Sequence, residues 1–568
     1  MGGMGMNGTS MNTSSTAQMD QGPPNYFRYP DHSTWIYGHI FAMVIAWTVV
    51  LPLGVMFSIA KSLYTIPTQT FFFILNGIGV FLSVVYDAKT PDLYENNAHH
   101  KIGWIFTWMA LAWILMGIVN TYAGRYGARQ LSGQQVSAAN LARYSQLQND
   151  CDDDHDAARW SGDSGQGSER NSYSLFGSGS PGTNSESRPF DDQFPSLRDV
   201  NLNDVDAEKI SFLRSAKLHR YLSRKVPQLA VGKTLAISQV LYTVSERLII
   251  ILGWVALLTG AVTFGGIFRG SALLNGLAHW VKGSIFFWYG LLTLGRWMGA
   301  FADFGWAWNV KPGIDLVARW KTRIPSAEFT ESFVIFLYGI SNVWLEHLSA
   351  WGGAWAPSDY EHVAITILFF GGGLLGMLIE SHWIRDLLST HILTIHEDSH
   401  PTSTSTTKQP QRTQPNHYTV PLNPLPALVI LLLGIMMSSH TQSSMTSSMI
   451  HKQWGQLFVG YALSRGVTYL LLYIKIPTSH LPARPPTEII TSFCLVSGGL
   501  VFMASSRDVV TAMERNGLDA MFGFTVTMGV TALVMAWVVV CLAVKGWAVR
   551  KERAASFPPK VERRGEQA

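Results

Sequence analysis

Charge is scarce in this chain. Of its 568 residues only 14% are Asp, Glu, Lys or Arg, while 47% are hydrophobic. That balance suits lipid better than water. Cysteine is scarcer still. Cys151, Cys494 and Cys541 are too few and too scattered for a disulfide framework or a thiolate metal site, and the last two sit inside apolar runs. They say nothing about redox compartment. The formal net charge of +4 is small for this length and gives no ground for a nucleic-acid partner. There is no nucleophile triad, no Gly-rich phosphate loop and no zinc-hydrolase motif, so hydrolase and nucleotide-driven chemistry have no support.

What the chain does have is apolar sequence, with 20 tryptophans and 29 phenylalanines. Weakly charged runs recur from residue 36 to residue 545, and a run of roughly 18 residues is long enough to cross a bilayer. The expected fold is all-α, a polytopic membrane protein with about eleven transmembrane helices. They fall at residues 36–60, 70–87, 102–122, 247–268, 280–301, 328–348, 362–380, 425–442, 456–474, 487–505 and 521–545. Glu328 and Glu331 open the sixth of these.

Basic residues set the orientation. Lys61, Arg125 and Arg129, then Lys209, Arg214, Lys217 and Arg220, then Lys311, Arg319, Lys321 and Arg323, and finally Lys545, Arg550 and Lys551 all fall on one side if every span is real. The positive-inside rule makes that side the cytosol, which leaves the N-terminus outside or lumenal and the C-terminus cytosolic. The N-terminal tail agrees, because its one basic residue is Arg28 and it carries glycosylation sequons at Asn7 and Asn12. It has no apolar signal-peptide core, so the first span itself is expected to start insertion.

The chain then divides into a polar, Met-rich extracytosolic tail (1–34), a three-helix block (35–122), a polar cytosolic loop (123–234), a C-terminal membrane domain of about eight helices (235–548) and a basic cytosolic tail (549–568). The Ser, Gly and Asp content of the 123–234 loop cannot bury enough apolar surface to fold, and a second such loop at 396–420 interrupts the C-terminal domain. The lipid bilayer is the one partner indicated.

With this orientation, most of the metal- or heme-ligating side chains gather on the outer side. His39 lies about 6 Å inside the outer face. His99 and His100 precede the third span, and His279 opens the fifth. Glu346 and His347 close the sixth span, and Asp359, Glu361 and His362 open the seventh. Met436, Met437, His440, Met445, Met449 and His451 lie between the eighth and ninth spans, and the tail adds Met1, Met4 and Met6. A plainer reading stands beside the functional one, since histidine and glutamate are costly in mid-bilayer and comfortable at its edges, and methionines pack well at interfaces. Carboxylate with imidazole at Glu346, His347, Glu361 and His362 suits zinc, manganese or iron, while His440, Met445, Met449 and His451 favour copper.

The first and third spans run the same way, so His39 and His99 can face each other at one depth. Two neutral imidazoles on neighbouring helices are what a six-coordinate b-type heme needs, with Met43 and Trp47 on the same stripe as His39. The alternative is a histidine hydrogen-bonded to a neighbouring helix or to interfacial water.

The stretch "GHIFAMVIAWTVVLPLGVMFSIAKS" resembles the first heme-bearing helix of the cytochrome b561 family. "AHHKIGWIFTWMALAWILMG" resembles a later helix of that family, in which a His four residues before a Gly is the partner ligand; here the spacing selects His99 and Gly103, with His100 the alternate. The intervening "TFFFILNGIGVF" resembles the helix between them but has Asn76 where the family has a second heme-ligating His. His219 and His279 are not clear counterparts of the fourth ligand. The resemblance covers residues 35 to 122, making that block cytochrome b561-like, and implies at most one heme b near the outer face. Over its whole length the chain resembles the fungal YTP-type family, named for yeast putative transmembrane protein, in "HWVKGSIFFWYGLLTLGRWMGAFADFGWAWN", "LEHLSAWGGAWAPSDYEHVAITILFFGGGLLGMLIES" and "MMSSHTQSSMTSSMIHKQWG". That resemblance implies a multi-spanning membrane protein with no settled activity.

Three functions remain open at this point. The first is a membrane redox protein, and so a heme-dependent oxidoreductase if an enzyme at all, with one heme on His39 and His99. The second is a copper- or zinc-binding membrane carrier or sensor. The third is a non-enzymatic scaffold whose b561-like block has lost its cofactor. A carrier needs polar groups at mid-membrane, and Asn76 and Arg465 are the clearest.

Overall fold

The computed structural model of the chain describes residues 23–120, 233–346, 354–355, 357–399, 417, 420–439 and 442–556. Met1, Met4, Met6, Asn7, Asn12, His347, His440 and most of the 123–234 and 396–420 loops lie outside the described residues. Every described regular element is helical.

Each of the eleven apolar stretches coincides with a helix. In chain order the described helices of nine or more residues are α1 (Ser33–Ile59), α2 (Thr65–Lys89), α3 (Ala98–Asn120), α4 (Lys233–Gly265), α5 (Ala272–Met298), α6 (Ala327–Glu346), α7 (Pro357–Glu380), α8 (His382–Ser399), α9 (Leu425–Ser439), α10 (Met445–Ile474), α11 (Thr487–Ala504), α12 (Arg507–Arg515) and α13 (Ala520–Ser556). Among the described residues 8 of these helices are long and apolar enough to cross a membrane. The three expected spans that fall short do so for visible reasons. α5 and α6 carry Lys282, Arg296, Glu328 and Glu331 within their length, and α9 has only 15 residues. α8 was not expected, and it continues into residues 396–399, read from sequence as loop.

Phe41, Phe81, Trp108, Leu470 and Leu533 are all at least 60% exposed. Large apolar side chains on the outside of a helical bundle are what a lipid-facing surface requires.

Two compact units make up the chain: Met1–Ala110 with Leu248–Arg553, and Leu111–Arg247 with Ala554–Ala568. In the second, Trp113 stacks on Tyr242 at 6.2 Å between ring centroids, and Ser238 Oγ donates to Asn120 Oδ1.

The first unit holds α1 against α2, α5 against α11, α6 against α7, and α9, α10 and α11 in succession. In lipid the tails are as apolar as leucine, so helices associate through close packing rather than through hydrophobic burial. The glycines show it. A Cβ on Gly283 would lie 2.6 Å from the Gly499 carbonyl oxygen, one on Gly373 2.4 Å from the Phe336 amide nitrogen, and one on Gly434 2.6 Å from the Gly455 carbonyl oxygen. Of the run Gly371, Gly372, Gly373 and Gly376, read from sequence as a packing face, all but Gly371 meet a neighbouring helix this closely. Where α10 and α11 meet, Trp454, Phe458, Tyr461 and Leu495 are almost wholly buried.

α1 has a local irregularity with a sequence cause. Pro52 has no N–H to give to the carbonyl of Thr48, and its ring crowds that carbonyl. The helix widens to π geometry over Ile45–Val50, and the Thr48 carbonyl accepts a bond from Trp537 Nε1 of α13 at 2.8 Å instead. π-bulges occur frequently beside functional sites, and this one lies two turns below His39.

Candidate functional site

His39 and His99 do meet. Their ring centroids are 6.3 Å apart, with the ring planes at 72°. His39 Nδ1 lies 2.8 Å from the Gly79 carbonyl oxygen on α2. A carbonyl can only accept, so Nδ1 carries the proton and the lone pair sits on Nε2. His99 Nδ1 lies 3.1 Å from Thr259 Oγ1 on α4. That hydroxyl is within 3.0 Å of the Val255 and Ala256 carbonyl oxygens and gives its proton to one of them, so it accepts from His99. His99 is therefore also protonated at Nδ1, with its lone pair on Nε2. His100 is exposed, and its backbone N–H donates to Asn97 Oδ1. Of the two, it is His99, the one that the family resemblance selects, that faces His39.

The surroundings of the two rings are close-fitting. A Cβ on Gly260 would stand 3.1 Å from His99 Cε1, and one on Gly79 would stand 3.0 Å from the Met43 methyl. Trp47, two turns below His39, packs edge-on to Phe72 and against Gly253. Its Nε1 donates to Asn76 Oδ1 at 3.0 Å, and Asn76 Nδ2 donates to Thr107 Oγ1. Asn76 is thus a structural polar link between α1, α2 and α3, and its position offers no imidazole.

A cavity of about 1150 Å³ opens on His99, walled by α4 and α5 and including Trp254, Trp280 and Trp288. Arg269 holds its rim, donating to the carbonyl oxygens of Pro24, Leu93 and Gly266 and standing 4.3 Å over the Tyr94 ring. Burial pushes the Tyr94 phenol up, and the Arg269 charge beside it pulls the other way.

Of the residues expected to bind bare metal, His362 and His451 line one cavity, while Glu361, Met445 and Met449 are exposed. Among the described residues no group of three or more His, Cys, Asp or Glu is arranged to hold an ion. The Glu346 side chain lies outside the described residues. Glu361 is exposed while His362 is half-buried, as neighbours about 100° apart around a helix must be. Met445 and Met449 are 77% and 47% exposed, whereas His451 is buried. Sequence reading put these three in a loop, but the Ser444 side chain accepts the Ser447 N–H and starts α10 there. Two residues along a helix are about 200° around it, so Met449 and His451 face opposite ways.

His451 instead meets His279 of α5, with ring centroids 6.4 Å apart and planes at 84°. Both line a second cavity of about 540 Å³, together with Lys282, Glu331, Asp359 and His362. Glu331 belongs to a buried ionic cluster; sequence reading singles out Arg465 as a mid-membrane polar group and takes Glu328 and Glu331 only as the opening of a span. Arg296 binds Glu328 at 2.8 Å and Glu331 at 2.6 Å, and Arg465 binds Glu331 at 3.4 Å and Glu488 at 2.9 Å. The signal available was the spacing of Glu328 and Glu331, three apart and therefore on one helix face.

Residues 252–546, just over half of the chain, match the family described as "Protein YTP1-like, C-terminal". The chain belongs to the YTP1-like family. Residues 20–123 of this YTP1-like chain also match a domain of unknown function. It is similar to an uncharacterized membrane protein of Schizosaccharomyces pombe, 34% identical over 96% of this chain and 99% of that one. It resembles an uncharacterized membrane protein of Saccharomyces cerevisiae at 37% identity over 50% of this chain and 45% of that one. It also resembles Protein YTP1 of the same yeast at 23% identity over 56% of each. No solved structure matches the YTP1-like chain. These relatives and the apolar helices make it a multi-pass integral membrane protein of the fungal YTP type.

Proposed function

We propose that this YTP1-like membrane protein is an electron carrier that holds a b-type heme between His39 and His99, near the face that the positive-inside rule makes extracytosolic. The observation that carries the reading is that both Nδ1–H groups are already used by protein oxygens, on Gly79 and Thr259, so that both rings present the Nε2 lone pair. Histidines that ligate metals usually donate their other N–H in this way, which fixes tautomer and ring orientation.

The residues present fit the group. Two protein ligands are too few to retain a bare zinc ion, which takes four, whereas a porphyrin supplies its own equatorial nitrogens and needs only an axial pair. The largely apolar cavity beside His99 suits a flat apolar macrocycle. Heme supplies a one-electron couple when bound. The chain's own part is to hold the imidazoles: the Gly79 carbonyl fixes the His39 ring, and Thr259, itself fixed by the backbone of α4, fixes that of His99. Asn76 takes the place of an inner ligand, so this block alone offers no second step across about 30 Å of hydrocarbon.

The test is the dithionite-reduced minus oxidised absorbance spectrum of the purified full-length protein, beside His39→Ala and Thr107→Ala. A b-type α-band is expected in the wild type and in Thr107→Ala and not in His39→Ala. Absence of any heme from wild-type protein made in heme-sufficient cells would sink the reading and favour a scaffold.

A further inference from the structure

The cavity of about 540 Å³ in the C-terminal bundle is within the roughly 300–1,000 Å³ usual for small-molecule sites. Ile335, Phe369 and Ile430 line it and are buried. Ile285 of α5 and Val334 of α6 line it too, yet they are 40% and 45% exposed, so they mark its mouth. Both lie well inside their helices, at a depth where the outer surface of the bundle meets lipid. A molecule dissolved in the bilayer therefore has a way in between α5 and α6.

The charges on the wall are already engaged. Glu331 has one carboxylate oxygen on Arg296 and the other on Arg465. Lys282 and Asp359 are opposite in sign, and both have interactions within the protein, as do His279, His362 and His451. An anion in the cavity would be buried beside Glu331 and Asp359, and a cation beside Lys282, each without a charge left to pair with it. Burying an unpaired charge is costly, so the cavity selects a neutral occupant.

Two buried atoms say where the polar end of that occupant lies. Asn342 and Trp454 line the cavity and are 2% and 1% exposed, and Asn342 Oδ1 and Trp454 Nε1 have no hydrogen-bond partner among the described residues. The amide orientation is fixed. Thr366 Oγ1 gives its proton to the His362 carbonyl, so it accepts from Asn342 Nδ2 and leaves Oδ1 over. Asn342 lies eleven residues beyond Glu331 on α6, and Trp454 eleven before Arg465 on the antiparallel α10. Eleven residues are within about 20° of three full turns and rise about 16 Å. Because Glu331 and Arg465 face each other, Asn342 and Trp454 do so as well, at one depth toward the outer helix ends. An acceptor and a donor are thus left facing across an apolar cavity. Buried polar atoms normally find partners, and a single hydroxyl serves both, donating to one and accepting from the other. Trp288 Nε1, on the half-buried indole that also lines the cavity, is one more donor without a partner among the described residues.

We propose that this cavity binds a neutral membrane lipid with a hydroxyl head, a lipid alcohol that enters between α5 and α6. Its hydroxyl bridges Trp454 Nε1 and Asn342 Oδ1, and its apolar body lies along Ile335 and Phe369 toward the neutralised Glu331. Sterols and prenyl alcohols share this chemistry.

The experiment is saturation binding of radiolabelled ergosterol and, separately, of radiolabelled geranylgeraniol to purified full-length protein in detergent. Unlabelled alcohol, its acetate ester and its sulfate are the competitors. One molecule per chain of either alcohol is expected, and whichever binds names the source. The ester, which cannot donate, and the sulfate, which is charged, are expected to compete at least about 10-fold less well. Trp454→Phe and Asn342→Leu should each weaken binding about 3–10-fold, and the exposed Met445→Ala should not. Ile285→Trp narrows the mouth without touching the buried wall and is expected to slow association, which keeps a readout if a core variant fails to fold. His39→Ala should bind as wild type does, so failure here leaves the proposed function standing. Saturable binding of neither alcohol would overturn the inference and leave a water between Asn342 and Trp454. Equal competition by the ester or the sulfate, or one affinity across all the variants, would overturn it too.

Discussion

The two imidazole pairs are matched in ring spacing and proton position, yet they are held by different means. His39 and His99 are fixed from other helices, by Gly79 on α2 and Thr259 on α4. His279 and His451 are each fixed by a carbonyl of their own helix, at Asn275 and Ser447. The first pair therefore keeps its orientation only while four helices stay together, and the second keeps it as long as α5 and α10 remain helical. Beneath them the difference is sharper. Below His39 the polar content is a neutral chain, Trp47 to Asn76 to Thr107. The cavity at His279 and His451 is lined by Glu331, which is tied to two arginines among buried charges. One region is oriented by tertiary contacts over a neutral interior, the other by local contacts beside an ionic one.

The contrast breaks most sharply at the charges. Arg465→Met leaves Glu331 and Glu488 short of a partner, and removing one member of a buried ion pair costs about 3–5 kcal/mol. The expected outcome is a loss of that size in denaturant titration of the detergent-solubilised protein, with the absorbance of the His39 site, where present, unchanged until unfolding. A loss under about 1 kcal/mol would mean that the cluster is solvated.

The difference in how the rings are held is sharpened by Thr259→Val. It removes the acceptor for His99 Nδ1–H while keeping the side chain's shape. Loss of such an orienting hydrogen bond typically weakens metal binding about 10–100-fold. Heme titration should show that drop at the His39 and His99 site, with ligand binding in the cavity at His279 and His451 unaffected. Equal weakening of both would undo the distinction.

The smallest effect belongs to the bond between Trp537 and the Thr48 carbonyl. Interhelical hydrogen bonds in membranes average about 0.6 kcal/mol, so Trp537→Phe should lower unfolding stability by about that amount. A change near zero would mean that the carbonyl finds another donor beside Pro52.

Much of this was legible in the sequence because hydropathy reads helix positions directly, and all eleven apolar stretches are helical. His39 and His99 were legible for a similar reason, since parallel spans place equivalent residues at equal depth. What orients them was not, because Gly79 and Thr259 lie 40 and 160 residues away from their histidines, and a backbone carbonyl or a lone threonine leaves no pattern. Glu361 and His362 group in the sequence because they open a helix facing the end of the one before it, and Met449 and His451 because they read as one loop. Helical rotation separates each pair. His279 and His451 are 172 residues apart, and only the packed helices of the C-terminal bundle bring them together.

The π-helical turn before Pro52 bears on how the protein is made. The acceptor at Thr48 and the donor at Trp537 are separated by 489 residues. At about 5–20 residues per second of synthesis, on the order of 25–100 s pass between emergence of the first helix and arrival of the indole that serves it. Throughout that interval the Thr48 carbonyl of α1 lacks its indole partner. α1 is therefore finished only when α13 arrives.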